Sequence, residues 1–285
     1  MNKLLRKVYI HPLMWVMIAF SVLTGYFIDL LLVFFIIVMH ELGHASMALS
    51  FRWRIKRIVF LPFGGVAEVD EHGNRPAKEE LFVILAGPLQ HLWLFIAAWL
   101  LFTAGWMSDN LYQHFWQFNL AILLFNLLPV YPLDGGKLLL LFVSLRRPFL
   151  LTIRLAMIFS AICLVLLQLL ILLFLPFHFQ AWLIIAYLTV ALWREWKDKH
   201  YTFIRFLLER YYGKKDVTVN LKPLQLSADT KIASALEQFR RNTKHIVYVT
   251  EQGKEIGRLD ENEVLYAYFS EKRTGACLKE LLPLH

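Results

Sequence analysis

His40, Glu41 and His44 stand in the pentapeptide His-Glu-Leu-Gly-His, inside an apolar run from residue 31 to residue 49. On a helix, side chains four apart stack on one face, so the two imidazoles can share one metal ion. Glu41 lies about 100° round the helix from His40, within reach of a water held at that metal. Two histidines at this spacing with a glutamate between them are a zinc site with its own general base, the set used for peptide hydrolysis. The surrounding residues are Leu, Val, Phe, Ile, Met and Ala. A carboxylate at the centre of a bilayer costs roughly 2.5–3.5 kcal/mol, so three ionisable groups in five residues need compensation, and metal coordination supplies it. The competing reading is an amphipathic core helix that carries the pentapeptide by coincidence.

A second group of chemical residues lies far along the chain. Residues 126–136 read Asn-Leu-Leu-Pro-Val-Tyr-Pro-Leu-Asp-Gly-Gly, within another apolar segment. Pro129 and Pro132 cannot continue a regular helix, and Gly135-Gly136 weakens it further. Unwound backbone at membrane depth is tolerated only where protein or a wet cavity surrounds it. Asp134 is therefore an acidic group on a broken span, or else a residue that caps the helix as it restarts. Depth links the two groups. His40 lies twelve residues before Arg52, the first basic residue past its span, and Asp134 lies twelve before Arg146. Two histidines and one carboxylate leave a fourth tetrahedral position open, as a catalytic zinc requires.

These residues must be positioned by membrane elements. Of the 285 residues 58% are hydrophobic, and mean hydropathy is +0.51, too apolar for an ordinary soluble domain. The expected fold class is a polytopic α-helical membrane protein with about six transmembrane helices, near 10–28, 30–50, 80–105, 114–145, 152–175 and 178–194, the fourth interrupted. A short β-hairpin and a small cytoplasmic α/β domain complete it. The first apolar run has no small-residue exit of the kind a cleaved signal peptide shows. Cys163 and Cys277 offer no disulfide framework. The net charge of +8 gathers at loops: Lys3, Arg6 and Lys7, then Arg52, Arg54, Lys56, Arg57, Arg75 and Lys78, then Arg146, Arg147 and Arg154. The opposite loops near Asp29, 106–113 and 176–178 carry neither Lys nor Arg. This charge is a topology signal rather than a nucleic-acid footprint, and it places both termini in the cytoplasm.

Three domains are expected: residues 1–193 in the membrane, 194–216 as a basic amphipathic linker helix on the lipid surface or a plain helical connector, and 217–285 as the small domain. Within the last, Lys231–Arg241 has helical spacing, His245–Thr250 alternates like a strand, and Glu261–Phe269 suggests a second helix. Near the first motif, Arg54–Leu61 and Val66–Asp70 read as two strands around a glycine turn, whose open edge can pair with an extended peptide.

His-Glu-x-x-His paired with Asn-x-x-Pro…Leu-Asp-Gly resembles the site-2 protease family of intramembrane metalloproteases, over most of the chain. The resemblance implies one zinc held by His40, His44 and Asp134, with Glu41 as base. It also implies a hairpin at Phe63, Gly64 and Gly65 that dips toward the active site. Gly87-Pro88 fits the core helices of the family. Asn126 and Pro132 are assigned to the substrate, Asn126 by hydrogen bonding to the main chain of the substrate; the alternative for Asn126 is a structural amide that ties the unwound segment. The segments LPFGG (61–65), EHGNRP (71–76), GPLQH (87–91), FLLERYYGK (206–214) and LDENEV (259–264) are similar to the sporulation branch, which processes a pro-sigma factor. The outer loops are too short for the PDZ domains of other branches. This branch implies inhibitory or anchoring membrane partners, a location in the membrane around the forespore facing the mother cell, and a cystathionine-β-synthase-like (CBS) domain over 217–285. A single CBS module implies homo-oligomerisation. The adenine-nucleotide pattern of such modules falls on Gly257, Asp260 and Glu263, and the last two depart from its hydroxyl and Asp.

Two other readings of the same residues remain at this stage. One is a metal transporter with His40, His44 and Asp134 as a transit site. The other is a soluble-type zinc protease with Glu68 or Glu71 as third ligand. His91 is either a substitute ligand or a hydrogen-bonded packing residue.

Overall fold

The computed structural model describes residues 8–10, 12–61, 64–69, 74–213 and 220–282. In chain order the elements are strand β1 (Val8–Ile10), helix α1 (Pro12–Thr24), helix α2 (Phe27–Ser50), strands β2 (Ile55–Leu61) and β3 (Gly64–Val69), helix α3 (Ala77–Thr103) and helix α4 (Asp109–Asn126). Helices α5 (Asp134–Ser144), α6 (Phe149–Phe174) and α7 (Phe179–Tyr212) follow. The chain ends with β4 (Asn220–Ser227), α8 (Ile232–Leu236), β5 (Thr243–Glu251), β6 (Lys254–Asp260), α9 (Glu261–Phe269) and a 3₁₀ turn (Leu278–Leu281). Among the described residues, α2, α3 and α6 are long and apolar enough to cross a membrane.

The chain divides into two compact units. The first comprises Met1–Glu71, Lys78–Leu138 and Ile162–Thr189. Its centre is α2, which packs against α1, α4, β2 and β3. Ile36 on α2, Leu94 and Ala98 on α3, and Phe115 on α4 form one buried cluster, while Ala48, Trp53 and Val83 form another at the other end of α2. In lipid the hydrophobic effect does not drive helices together, so small residues that permit close backbone approach matter more. Ala45, Ala48, Ala86 and Ala98 are all buried here. Glu79 and Glu80 in the first turn of α3 suit its positive end, and Glu79 also accepts a hydrogen bond from the Trp53 indole at 2.9 Å.

The hairpin differs from the expected one. The strands pair antiparallel with Leu61 opposite Gly64 and Phe60 opposite Gly65, so both glycines belong to β3 rather than to the turn. Phe63 lies outside the described residues. A third strand, β1, pairs parallel with β2. It has only three residues, too few to show an alternating pattern. The sheet order β1-β2-β3 leaves β3 at an edge.

The second unit comprises His72–Ala77, Leu139–Ala161 and Val190–His285. Strand β4 pairs parallel with β5, which pairs antiparallel with β6. Helix α9 packs on α8, β5 and β6. Phe206 of α7 stacks near Phe149 with ring centroids 4.3 Å apart, and the Phe149 N–H donates to the Phe239 carbonyl at 2.9 Å. The Asn74 amide donates to the Phe206 carbonyl and to Glu209 at 2.9 and 3.0 Å. Helix α7 runs unbroken through residue 194, where composition alone suggested a boundary. Neither Gly nor Pro occurs between Phe179 and Tyr212, so nothing local ends it.

Candidate active site

Helix α2 presents His40, Glu41 and His44, all buried. The continuous apolar sequence before them keeps the helix regular, and the i, i+4 spacing puts both imidazoles on one face. The third group arrives on a broken helix. Helix α4 ends at Asn126, residues 127–133 are unwound, and α5 begins at Asp134. The break keeps part of its backbone paired: Val130 N–H donates to the Leu128 carbonyl at 2.7 Å and Leu133 N–H to Val130 at 2.9 Å. Gly135 makes the turn possible, because a Cβ there would stand 2.2 Å from the Leu127 carbonyl oxygen. Asp134 thus both opens α5 and joins the histidines.

The three ligand atoms form a nearly equilateral triangle. His40 Nε2 and His44 Nε2 are 3.1 Å apart, and Asp134 Oδ2 is 3.1 Å from the first and 2.9 Å from the second. Zinc bonds of about 2.0–2.1 Å at tetrahedral angles place ligand atoms about 3.3 Å apart, so the triangle fits a zinc ion. The far ring nitrogens explain why all three atoms face inward as acceptors. His44 Nδ1 is 2.7 Å from the Val83 carbonyl, which can only accept, so the proton sits on Nδ1 and the Nε2 lone pair faces the site. His40 Nδ1 meets His91 Nε2 at 3.1 Å. The Lys137 ammonium holds Asp134 Oδ1 at 3.0 Å. Three converging lone pairs repel one another unless a cation lies between them. Room is kept by Gly87 on α3, where a Cβ would stand 2.2 Å from His44 Nε2 and 2.8 Å from His40 Cε1.

The other sequence candidates are distributed differently. His91 faces the back of His40 and not the triangle, so it is hydrogen-bonded packing rather than a substitute ligand. Asn126 donates its amide nitrogen to the Ile122 carbonyl at 3.0 Å, one turn back in its own helix. Pro132 lies in the unwound stretch, preceded by a cis peptide. Gly64 and Gly65 lie on the edge strand. Gly257 backs onto Leu282, whose Cδ2 would be 2.5 Å from an added Cβ. Asp260 caps α9, its N–H donating to Glu263 Oε2 at 2.8 Å and its carboxylate accepting from Lys244 at 2.9 Å. These contacts account for Gly257, Asp260 and Glu263 without a nucleotide. Asn119 is a buried polar neighbour of the site that sequence reasoning did not single out. It sits on α4, fully buried and bonded to His91, and nothing in the sequence sets it apart from Asn110 and Asn126 on the same helix.

Comparisons with known proteins agree with this geometry. Residues 28–110 match the family model described as Peptidase family M50. The chain is 46% identical over 285 residues to Stage IV sporulation protein FB of Bacillus subtilis, covering 99% of each. It is 33% identical over 129 residues to a zinc metalloprotease of Methanocaldococcus jannaschii, covering 44% of this chain and 37% of that one. The solved structure of a site-2 protease from Methanocaldococcus jannaschii superposes with a TM-score of 0.54 at 26% identity, covering 66% of this chain and 89% of that one. With the relationship extending over its whole length and the His-His-Asp triangle formed, the chain belongs to peptidase family M50, the site-2 type of membrane-embedded zinc metalloendopeptidase.

Proposed function

We propose that this protease cleaves the membrane-associated precursor of a sporulation sigma factor near the cytoplasmic face. The observation that carries the reading is the triangle of His40, His44 and Asp134 in a chain similar from end to end to a sporulation protein. The three residues hold zinc. Bound there, zinc would supply Lewis acidity, which lowers the pKa of a water and polarises a scissile carbonyl. Glu41, next to His40 and about 100° round the helix from it, takes the proton from the attacking water and returns it to the leaving amine. Substrate enters extended and adds to the β3 edge at Gly64 and Gly65, and Phe63 is assigned to the same substrate contact. Asn126 and Pro132 line the path to the metal, and the Asn126 carbonyl side of the amide serves the substrate main chain.

In this reading the membrane is crossed by six segments: α1, α2, α3, the α4–α5 pair, α6 and the first part of α7. Both termini are cytoplasmic, because every basic tract falls on one side. Residues 1–193 form the protease, 194–216 contact lipid and lead to a CBS-like module over 217–285, which recognises the soluble part of the substrate and pairs between copies. The membrane is the one around the forespore, and membrane partners there restrain the enzyme. Co-expression with a pro-sigma factor tests this: wild type should yield the shortened sigma factor and Glu41→Gln should not. Equal cleavage by both would remove the assignment.

A further inference from the structure

His40 and His44 are oriented by different devices. His44 leans on a backbone carbonyl, whereas His40 Nδ1 meets another imidazole, that of His91 on α3. The polarity of that contact is decided further away. Asn119 on α4 donates its amide nitrogen to the His91 backbone carbonyl at 3.0 Å. A carbonyl can only accept, so the amide cannot be turned round, and its oxygen must face His91 Nδ1, at 2.7 Å. That oxygen requires a proton on His91 Nδ1. A neutral imidazole carries one proton, so His91 Nε2 holds a lone pair. Nε2 can then only accept from His40 Nδ1, which leaves the His40 Nε2 lone pair aimed at His44 Nε2 and Asp134 Oδ2.

We propose that His91 and Asn119 are positioning residues that fix the tautomer and ring plane of His40 as a zinc ligand, through a relay anchored on the His91 carbonyl. Their burial supports this: His91 and Asn119 have no exposed surface and His40 retains 3%, so no water competes for the relay. A buried chain of this kind is either satisfied at every link or costly. Here each link has one acceptor and one donor. Moving the His91 proton from Nδ1 to Nε2 would set an N–H against His40 Nδ1, force the His40 proton onto Nε2 and close the ligand position. Histidine ligands in metal sites are generally oriented by such outer partners, whose loss lowers metal affinity about 10–100-fold.

The inference rests on the zinc-protease reading, and the test separates the two. The full-length protein is purified in detergent, and zinc affinity is measured by competition with a chromophoric chelator. His40→Ala serves as the control for the metal site itself. His91→Leu should bind zinc about 10–100-fold more weakly than wild type. His91→Gln should stay within a few-fold of wild type, because its amide oxygen can accept from His40 Nδ1 while its nitrogen donates to Asn119. Unfolding temperatures of the zinc-stripped proteins show whether each variant folds. Should His91→Leu not fold, Asn119→Leu interrogates the relay from its far end, with the same expected loss. Wild-type zinc affinity in a folded His91→Leu or Asn119→Leu protein overturns the relay. So does a folded His91→Gln as weak as His91→Leu. A wild-type protein that binds no more zinc than His40→Ala instead overturns the metal site on which the relay stands.

Discussion

Among the described residues, two buried clusters combine histidine with a carboxylate, and they are built to opposite ends. In the second unit Glu261 is saturated from within. Its Oε1 takes the Arg210 guanidinium at 3.0 Å, and its Oε2 accepts from the His245 backbone N–H at 2.8 Å and meets the ring Nδ1 at 3.1 Å. Arg210 also donates to the carbonyls of Arg240 and Thr243. Donors and acceptors balance, and the network closes. In the first unit the acceptors of His40, His44 and Asp134 converge, and the protons that could separate them are drawn outward to Val83 and His91. A closed network fastens α7 to the strands and helix that follow it. An open one of this form is a cation site. The difference shows that a buried His–carboxylate pair is diagnostic only once the far side of each ring has been traced.

The two clusters should respond differently to mutation. The largest effect belongs to the open one: Glu41→Gln should lower cleavage by about 10²–10⁴-fold while zinc content and unfolding temperature hold. Rate measurement with elemental analysis of the same preparation checks this, and loss of zinc would make Glu41 a ligand instead of a base. In the closed cluster, Arg210→Met should cost about 3–5 kcal/mol, since it leaves Glu261 buried without its cation. Thermal unfolding of the full-length protein should show that loss with and without chelator. A loss that appears only with zinc bound would mean that the clusters are not independent in this way.

The smallest effect is one of pH. Burial pushes His245 below the usual imidazole range, against the opposing pull of Glu261, and Arg210 and Arg240 lower it further. A base with a depressed folded pKa is neutral in the folded state and binds its proton more readily when unfolded. Its contribution is therefore complete above the unfolded value of about 6.5 and is lost as pH falls through the folded value. The unfolding temperature should decline with acidity from about pH 6.5 downward, and more steeply in wild type than in His245→Gln. Parallel slopes would assign the decline to other groups.

How far the sequence revealed each cluster follows from distance along the chain. His40, Glu41 and His44 were legible because one helical turn brings them together. Asp134 was legible because Pro129, Pro132 and Gly135-Gly136 announce a break that is tolerated at that depth only where protein or a wet cavity surrounds it. The His91–Asn119 relay was not, since those residues are 28 apart and reach His40 from two other helices. Strand β4 was missed for a related reason: its residues Leu221–Ser227 mix Lys, Pro and Gln, and only its parallel pairing with β5 makes it a strand. The glycines of the hairpin read as a turn by composition, yet Gly64 and Gly65 lie in the ladder. Helix α9 matched its expected range, Glu261–Phe269, because its start and periodicity are both local.

The most direct test of the open cluster is zinc per chain in purified wild type and Asp134→Ala, by elemental analysis after equal dialysis. Asp134 is the one member of the triangle not on α2, so the measurement asks whether the broken helix completes the site. One zinc per wild-type chain and far less in Asp134→Ala is the expected result. Equal stoichiometric zinc in both proteins would contradict the three-ligand site.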